Sequence, residues 1–154
     1  MNLPDRVAAI RGQYDHCFGC GINNPIGLQL TGFERFDNTV RATFDPRLDY
    51  HGFSDLLHGG IVATALDEIM AWTAILVADV MVMTGKLDLR YRKPAKVDSS
   101  FVLQGELLER RGRRLRISAT MSDGSLVVAQ ATGLFLAIED LSDPDPASAA
   151  VSEE

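Results

Sequence analysis

The chain has 154 residues, 46% hydrophobic and 23% charged, enough to bury one sizeable core without disulfide or metal staples. A formal net charge of -6 disfavours a general nucleic-acid binder. Ten of the fifteen Lys and Arg residues nevertheless fall between Lys86 and Arg116, against four acids, which suits a small polyanionic ligand better than a duplex.

The N-terminal segment is expected to form a short helix. Asp5 and Arg6 interrupt it where a secretory leader would need an apolar core, so a cytoplasmic location is the expectation. HCFGCGINNPIGL follows, dense in Gly and Asn, and reads as a structured loop. Cys17 and Cys20 form a C-x-x-C pair beside His16, but a closed zinc site needs four ligands and the chain has no second pair. Free, reduced thiols and no metal or cofactor are therefore expected.

Two short runs, Gln29 to Phe36 and Thr39 to Phe44, flank Asp37-Asn38, a pair suited to the φ > 0 positions of a tight hairpin. The stretch PRLDYHGFSDLLHGG lacks a period and reads as a loop, with Ser54 or Asp55 available to cap backbone. From Gly60 to about Val80 the residues are helix formers with no Pro and no internal Gly, apolar on nearly every face. The apolar run Ile61 to Ala78 carries Asp67 and Glu68 in its middle, each costing roughly 2.5 to 3.5 kcal/mol at a bilayer centre, so a wrapped core helix is expected rather than a membrane span.

Beyond the helix the period becomes two. Leu87, Leu89 and Tyr91 alternate with Lys86, Asp88, Arg90 and Arg92, and Leu115, Ile117, Ala119 and Met121 alternate with charged or hydroxyl residues. Runs near Phe101 to Leu108 and from Leu126 to Ile138 complete four strands, with turns at Arg111-Gly112 and Asp123-Gly124. The expected fold is α+β: a single domain over residues 1–139 in which an antiparallel sheet curls around one long helix, followed by a disordered acidic tail over 140–154. Open sheet edges and an apolar flank predict a homodimer or a dimer of dimers.

Asp67 is the position of greatest chemical interest. Its neighbours at helical spacing are Ala63, Thr64, Met70 and Ala71, which predicts a poorly solvated carboxylate fit for a general base or nucleophile; a structural Asp partnering a loop or a cross-dimer Arg is the equal alternative. Glu68, about 100° further round the helix, cannot share that site without bending and reads as a structural ion pair or interface residue, with catalysis as the minority reading and a place among the candidate substrate-binding residues. The tripeptide His58-Gly59-Gly60 puts unpaired amides at the positive end of the helix dipole, a plausible oxyanion site or simply a capped turn.

Taken together, HGGIVATALDE, with nine residues from His58 to Asp67, and TGKLDLRYRKPA after the helix resemble the hotdog-fold acyl-CoA thioesterases of the phenylacetic-acid-degradation type. CFGCGINNPIGL is similar to the start of a subset of them, and the resemblance runs from about Cys17 to Ile138. It implies a subunit-interface site in which Asp67 activates water or attacks the thioester carbonyl, Gly59 or Gly60 polarises its oxygen, and Thr84 assists. The loop before HGG departs from the family in offering YHGFSD where many relatives have Asn or Gln, leaving His51 as the nearest polar candidate. Of the basic residues Arg90, Arg92, Lys93 and Lys96, the resemblance favours Arg92 and Lys93 for coenzyme A phosphates. Arg110, Arg111, Arg113 and Arg114 read as surface charge. The alternatives to acyl-CoA hydrolysis are a non-catalytic acyl-CoA sensor and an enoyl-thioester hydratase, which would need Asp and His poised together.

Overall fold

A computed structural model describes residues 2–142. Helix α1 (Leu3–Gln13) leads to the Gly-rich loop; hairpin β1 (Thr31–Phe36) and β2 (Thr39–Phe44) follows, then a 3-10 turn (Leu48–Tyr50), the long helix α2 (Gly59–Ala78), and strands β3 (Val80–Tyr91), β4 (Phe101–Arg111), β5 (Arg114–Asp123) and β6 (Leu126–Asp140). The six strands form one antiparallel sheet in the order β1-β2-β4-β5-β6-β3. This is the two-strand, helix, four-strand order expected from the periodicity.

The ends of the elements depart modestly from expectation. Asp37, Gly112 and Gly124 take positive φ at the three hairpin turns. Strand β3 begins immediately after Asp79, which closes α2 in the left-handed region, so the whole VMVMTG run is strand. Strand β6 continues to Asp140 and the Leu141 amide donates to the Asp79 carbonyl, so the ordered chain extends beyond residue 139; residues 143–154 of the expected tail lie outside the described residues.

The core forms where α2 lies on the concave face of the sheet. Ten α2 residues are buried, among them Leu66, Ile69, Met70, Trp72 and Leu76, against Phe44, Phe101, Leu103, Ile117 and Phe135 from the strands. Helix and sheet approach closely at Gly105: a Cβ there would come 2.1 Å from Thr73 Oγ1, so only glycine lets β4 pass under the helix. Thr73, buried in this contact, donates its hydroxyl to the Ile69 carbonyl and leaves no orphan polar group. Although α2 is long and apolar enough to cross a membrane, the sheet wraps it.

A buried helix cannot send its last carbonyls to water, and here arginines satisfy them. Arg6 reaches the Ile75 carbonyl, Arg35 the Leu76 carbonyl at 2.8 Å and Arg110 the Ala78 carbonyl at 3.3 Å. Arg113 likewise donates to the Ala137 carbonyl, so Arg110 and Arg113 tie the fold together instead of serving as plain surface charge.

Candidate active site

The wrapping is incomplete along one stripe of α2. Ala63, Thr64, Asp67 and Ala71 are only half-buried, so Asp67 stands on an open face bordered by small side chains instead of the fully buried face expected from its neighbours. Strand β3 runs beside this stripe as the edge of the sheet and carries Thr84, whose hydroxyl donates to Asp67 Oδ1 at 2.7 Å. The pairing of Asp67 with Thr84, seventeen residues apart, is thus present in a single chain, and both line a cavity of about 250 Å³ with Cys17, Glu68 and Trp72.

The start of α2 builds a second, separate region. His58 is the N-cap, and its Nδ1 accepts the Gly60 N–H at 2.9 Å; Ile61 and Val62 both donate to the His58 carbonyl. His58 thus caps the helix, rather than Ser54 or Asp55, and of the two glycines expected to offer an oxyanion donor Gly60 has its amide already occupied by the His58 ring. The Gly59 N–H has no acceptor among the described residues and is the amide left free. Tyr91 pins this turn by donating its hydroxyl to the Gly59 carbonyl at 2.8 Å. A cavity of about 370 Å³ adjoins it, with Leu57, Val62 and Val128 as apolar wall and Arg92 and Lys93 on its border.

The basic candidates separate here. Arg92 and Lys93 border the cavity beside Gly59, with Arg92 Nε held by Gln130 at 2.9 Å. Arg90 is exposed and does not line it, and Lys96 faces Asp55 at 4.0 Å. His51 is also exposed, with Nδ1 against the Leu48 carbonyl, and lines neither cavity. Among the described residues neither His51 nor His58 bonds to Asp67, so the Asp–His pair of a hydratase is not assembled there within one chain.

Glu68 departs furthest from expectation. It makes no ion pair among the described residues; its Oε1 accepts the Trp72 indole N–H at 3.1 Å and lies 3.7 Å from Cys17 Sγ. Desolvation, then the neighbouring Cys17, pushes its carboxyl up to about 7. In the thiol pair, the Cys20 hydrogen bond holds Cys17 down to about 5, while that same bond and desolvation push Cys20 far above the ordinary thiol range. The sequence places Glu68 on α2 and the thiols about fifty residues earlier, and no local pattern announces that they meet.

Comparison with known proteins agrees with this architecture. Residues 55–129 match the family model described as the thioesterase superfamily. The chain is 30% identical over 131 residues to the acyl-coenzyme A thioesterase THEM4 of Rattus norvegicus, covering 83% of this chain and 54% of that protein, and 30% identical over 139 residues to the Bos taurus protein of the same name, covering 88% and 57%. The chain thus spans about half the length of the curated relatives it matches. Among solved structures, a thioesterase superfamily protein superposes with a TM-score of 0.73 at 20% identity over 87% of this chain and 80% of its own. A hypothetical thioesterase from Streptococcus pneumoniae, solved with coenzyme A, superposes at 0.67 with 19% identity over 72% and 90%. The helix wrapped by an antiparallel sheet is the hotdog fold.

Proposed function

Since this chain belongs to the thioesterase superfamily, we propose that it hydrolyses acyl-CoA thioesters in a site completed by a second copy of itself. The observation that carries this reading is the Thr84 hydroxyl held on Asp67 at 2.7 Å on the uncovered stripe of α2. The hydroxyl fixes one carboxylate oxygen and leaves the other to take a proton from water or to attack the carbonyl carbon. Gly59, the free amide at the helix start, stabilises the negative charge that develops on the thioester oxygen.

The spacing supports a site shared by two chains. Eight residues of helix separate Gly59 from Asp67, about 12 Å at 1.5 Å per residue, too far for both to contact one carbonyl group. A two-fold pairing of open stripes, with β3 of each chain continuing the sheet, sets Asp67 of one protomer against Gly59 of the other. The cavity beside Gly59 then receives the pantetheine arm, with Arg92 and Lys93 at its border for the phosphates.

The test is free-thiol release from short, medium, long-chain and aromatic acyl-CoA esters by the wild type and Asp67→Asn. Turnover by the wild type and a loss of at least about 10²-fold in a folded variant is the expected result. Wild-type inactivity on every ester, or an Asn variant as active as the wild type, overturns it.

A further inference from the structure

The strongest feature that the thioesterase reading leaves unused is the meeting of the C-x-x-C turn with Glu68. Cys17 Sγ, Cys20 Sγ and a Glu68 carboxylate oxygen all lie within 4.8 Å of one another. Both cysteines are free. No Lys or Arg forms an ion pair with Glu68 among the described residues, and Arg11 directs its Nε to the Cys20 carbonyl at 3.0 Å. Three groups that can each carry negative charge thus converge, and among the described residues no side-chain cation forms an ion pair with the carboxylate.

The backbone holds them there. The Gly21 amide donates to the Cys17 carbonyl at 2.8 Å, closing the turn, while the amides of Leu28 and Leu30 fix the carbonyls of Phe18 and Gly19 at 2.7 and 3.0 Å. The turn is folded directly onto the carboxylate: a Cβ at Gly19 would come 2.3 Å from Glu68 Cδ. Trp72 also fixes the carboxylate, its indole N–H donating to the same Oε1 that faces Cys17, as an outer partner orients a metal ligand.

From this geometry we infer that Cys17, Cys20 and Glu68 form a binding site for a thiophilic divalent cation, zinc above all, with its fourth position open. Tetrahedral zinc, with bonds of roughly 2.3 Å to sulfur and 2.0–2.2 Å to oxygen, sets neighbouring ligand atoms roughly 3.5–3.8 Å apart. The Cys17 to Glu68 spacing of 3.7 Å meets that already, and the remaining ligand pairs close to it with shifts of about 1 Å or less. Two thiolates and one carboxylate suit zinc better than magnesium or calcium, which prefer all-oxygen shells, or copper(I), which prefers sulfur alone. The fourth position falls to water from the cavity that Asp67 and Thr84 also line. Binding replaces whatever protons the two thiols and the Glu68 carboxyl still carry with metal–sulfur and metal–oxygen bonds, releases those protons to solvent and changes no oxidation state, so affinity rises with pH.

Cobalt(II) is the direct probe. The full chain, reduced and stripped of metal without oxygen, is expected to bind one equivalent of Co²⁺ with intense visible bands of a tetrahedral ion and near-ultraviolet thiolate charge transfer, all abolished by one equivalent of Zn²⁺. Cys17→Ser and Cys20→Ser should each remove the charge-transfer bands, Glu68→Gln should weaken Zn²⁺ binding at least about 10-fold, and His16→Ala should change nothing. Zn²⁺ should also raise the melting temperature of the wild type and not of the double Ser variant. Absence of the thiolate bands in wild type with both thiols titratable, their persistence in folded Ser variants, or their loss in His16→Ala overturns the site.

Discussion

Asp67 and Glu68 are consecutive residues of one helix and border the same cavity, yet their immediate neighbours treat the same carboxyl group oppositely. Asp67 stands on the uncovered stripe, among alanines, held by a single hydroxyl that leaves its other oxygen free. Glu68, one step round, is closed against the Cys17–Cys20 turn and Trp72, with its proton held to about 7. An acid becomes useful for turnover where substrate can reach it, whatever its burial, and the helix supplies one acid of each kind by rotating 100°.

The sharpest way to break this comparison is to neutralise each acid in turn. Asp67→Asn should cost at least about 10²-fold in kcat, whereas Glu68→Gln should stay within about 3-fold; equal losses would mean that both acids serve one centre. The second difference lies in stability. Glu68 binds its proton more tightly folded than unfolded, so the stability this gives is fully present below about pH 4.5 and is lost as pH rises through about 7. In the metal-free protein Glu68→Gln should therefore gain on the wild type across that window, by roughly 2 kcal/mol once the solvent still reaching this half-buried residue is allowed for. Urea unfolding of both at pH 4.5 and pH 8 measures it, and a constant difference between them would refute the assignment.

Smaller effects sharpen the contrast between the two ends of α2. Arg92→Ala combined with Lys93→Ala should raise KM for acyl-CoA about 10-fold and leave kcat near the wild-type value, because the role proposed for these cations is to hold a remote part of the substrate. Thr84→Ala should lower kcat about 5- to 10-fold with KM little changed, since it frees Asp67 without removing it. Steady-state kinetics on one ester distinguishes the two patterns.

Much of the fold was legible because periodicity is a local property. The alternation of Leu87, Leu89 and Tyr91 and the unbroken helix-forming run after Gly60 each announce an element within a dozen residues. The site was legible only in halves. HGG and Asp67 draw attention by type and spacing, but that His58 consumes the Gly60 amide and leaves Gly59 free depends on a ring orientation that no spacing encodes. The exposure of Asp67 was misjudged for a related reason: small neighbours show that something could approach closely, and they do not show that this chain itself fills the space. Glu68 beside the cysteines is a contact across fifty residues, visible only once the N-terminal loop is folded down on α2.

The three arginines that take the last carbonyls of α2 come from α1, β1 and β4. They act as an axial stop. A slide of the helix by one residue, about 1.5 Å, would break all three contacts together and would carry Gly59 and Asp67 by the same amount. Misplacement of about 1 Å is enough to cost a reaction on the order of 10²-fold. Tolerance at the chemical end of this helix is therefore set at its far end, and variants of Arg6, Arg35 or Arg110 belong among those that detune the site without touching it.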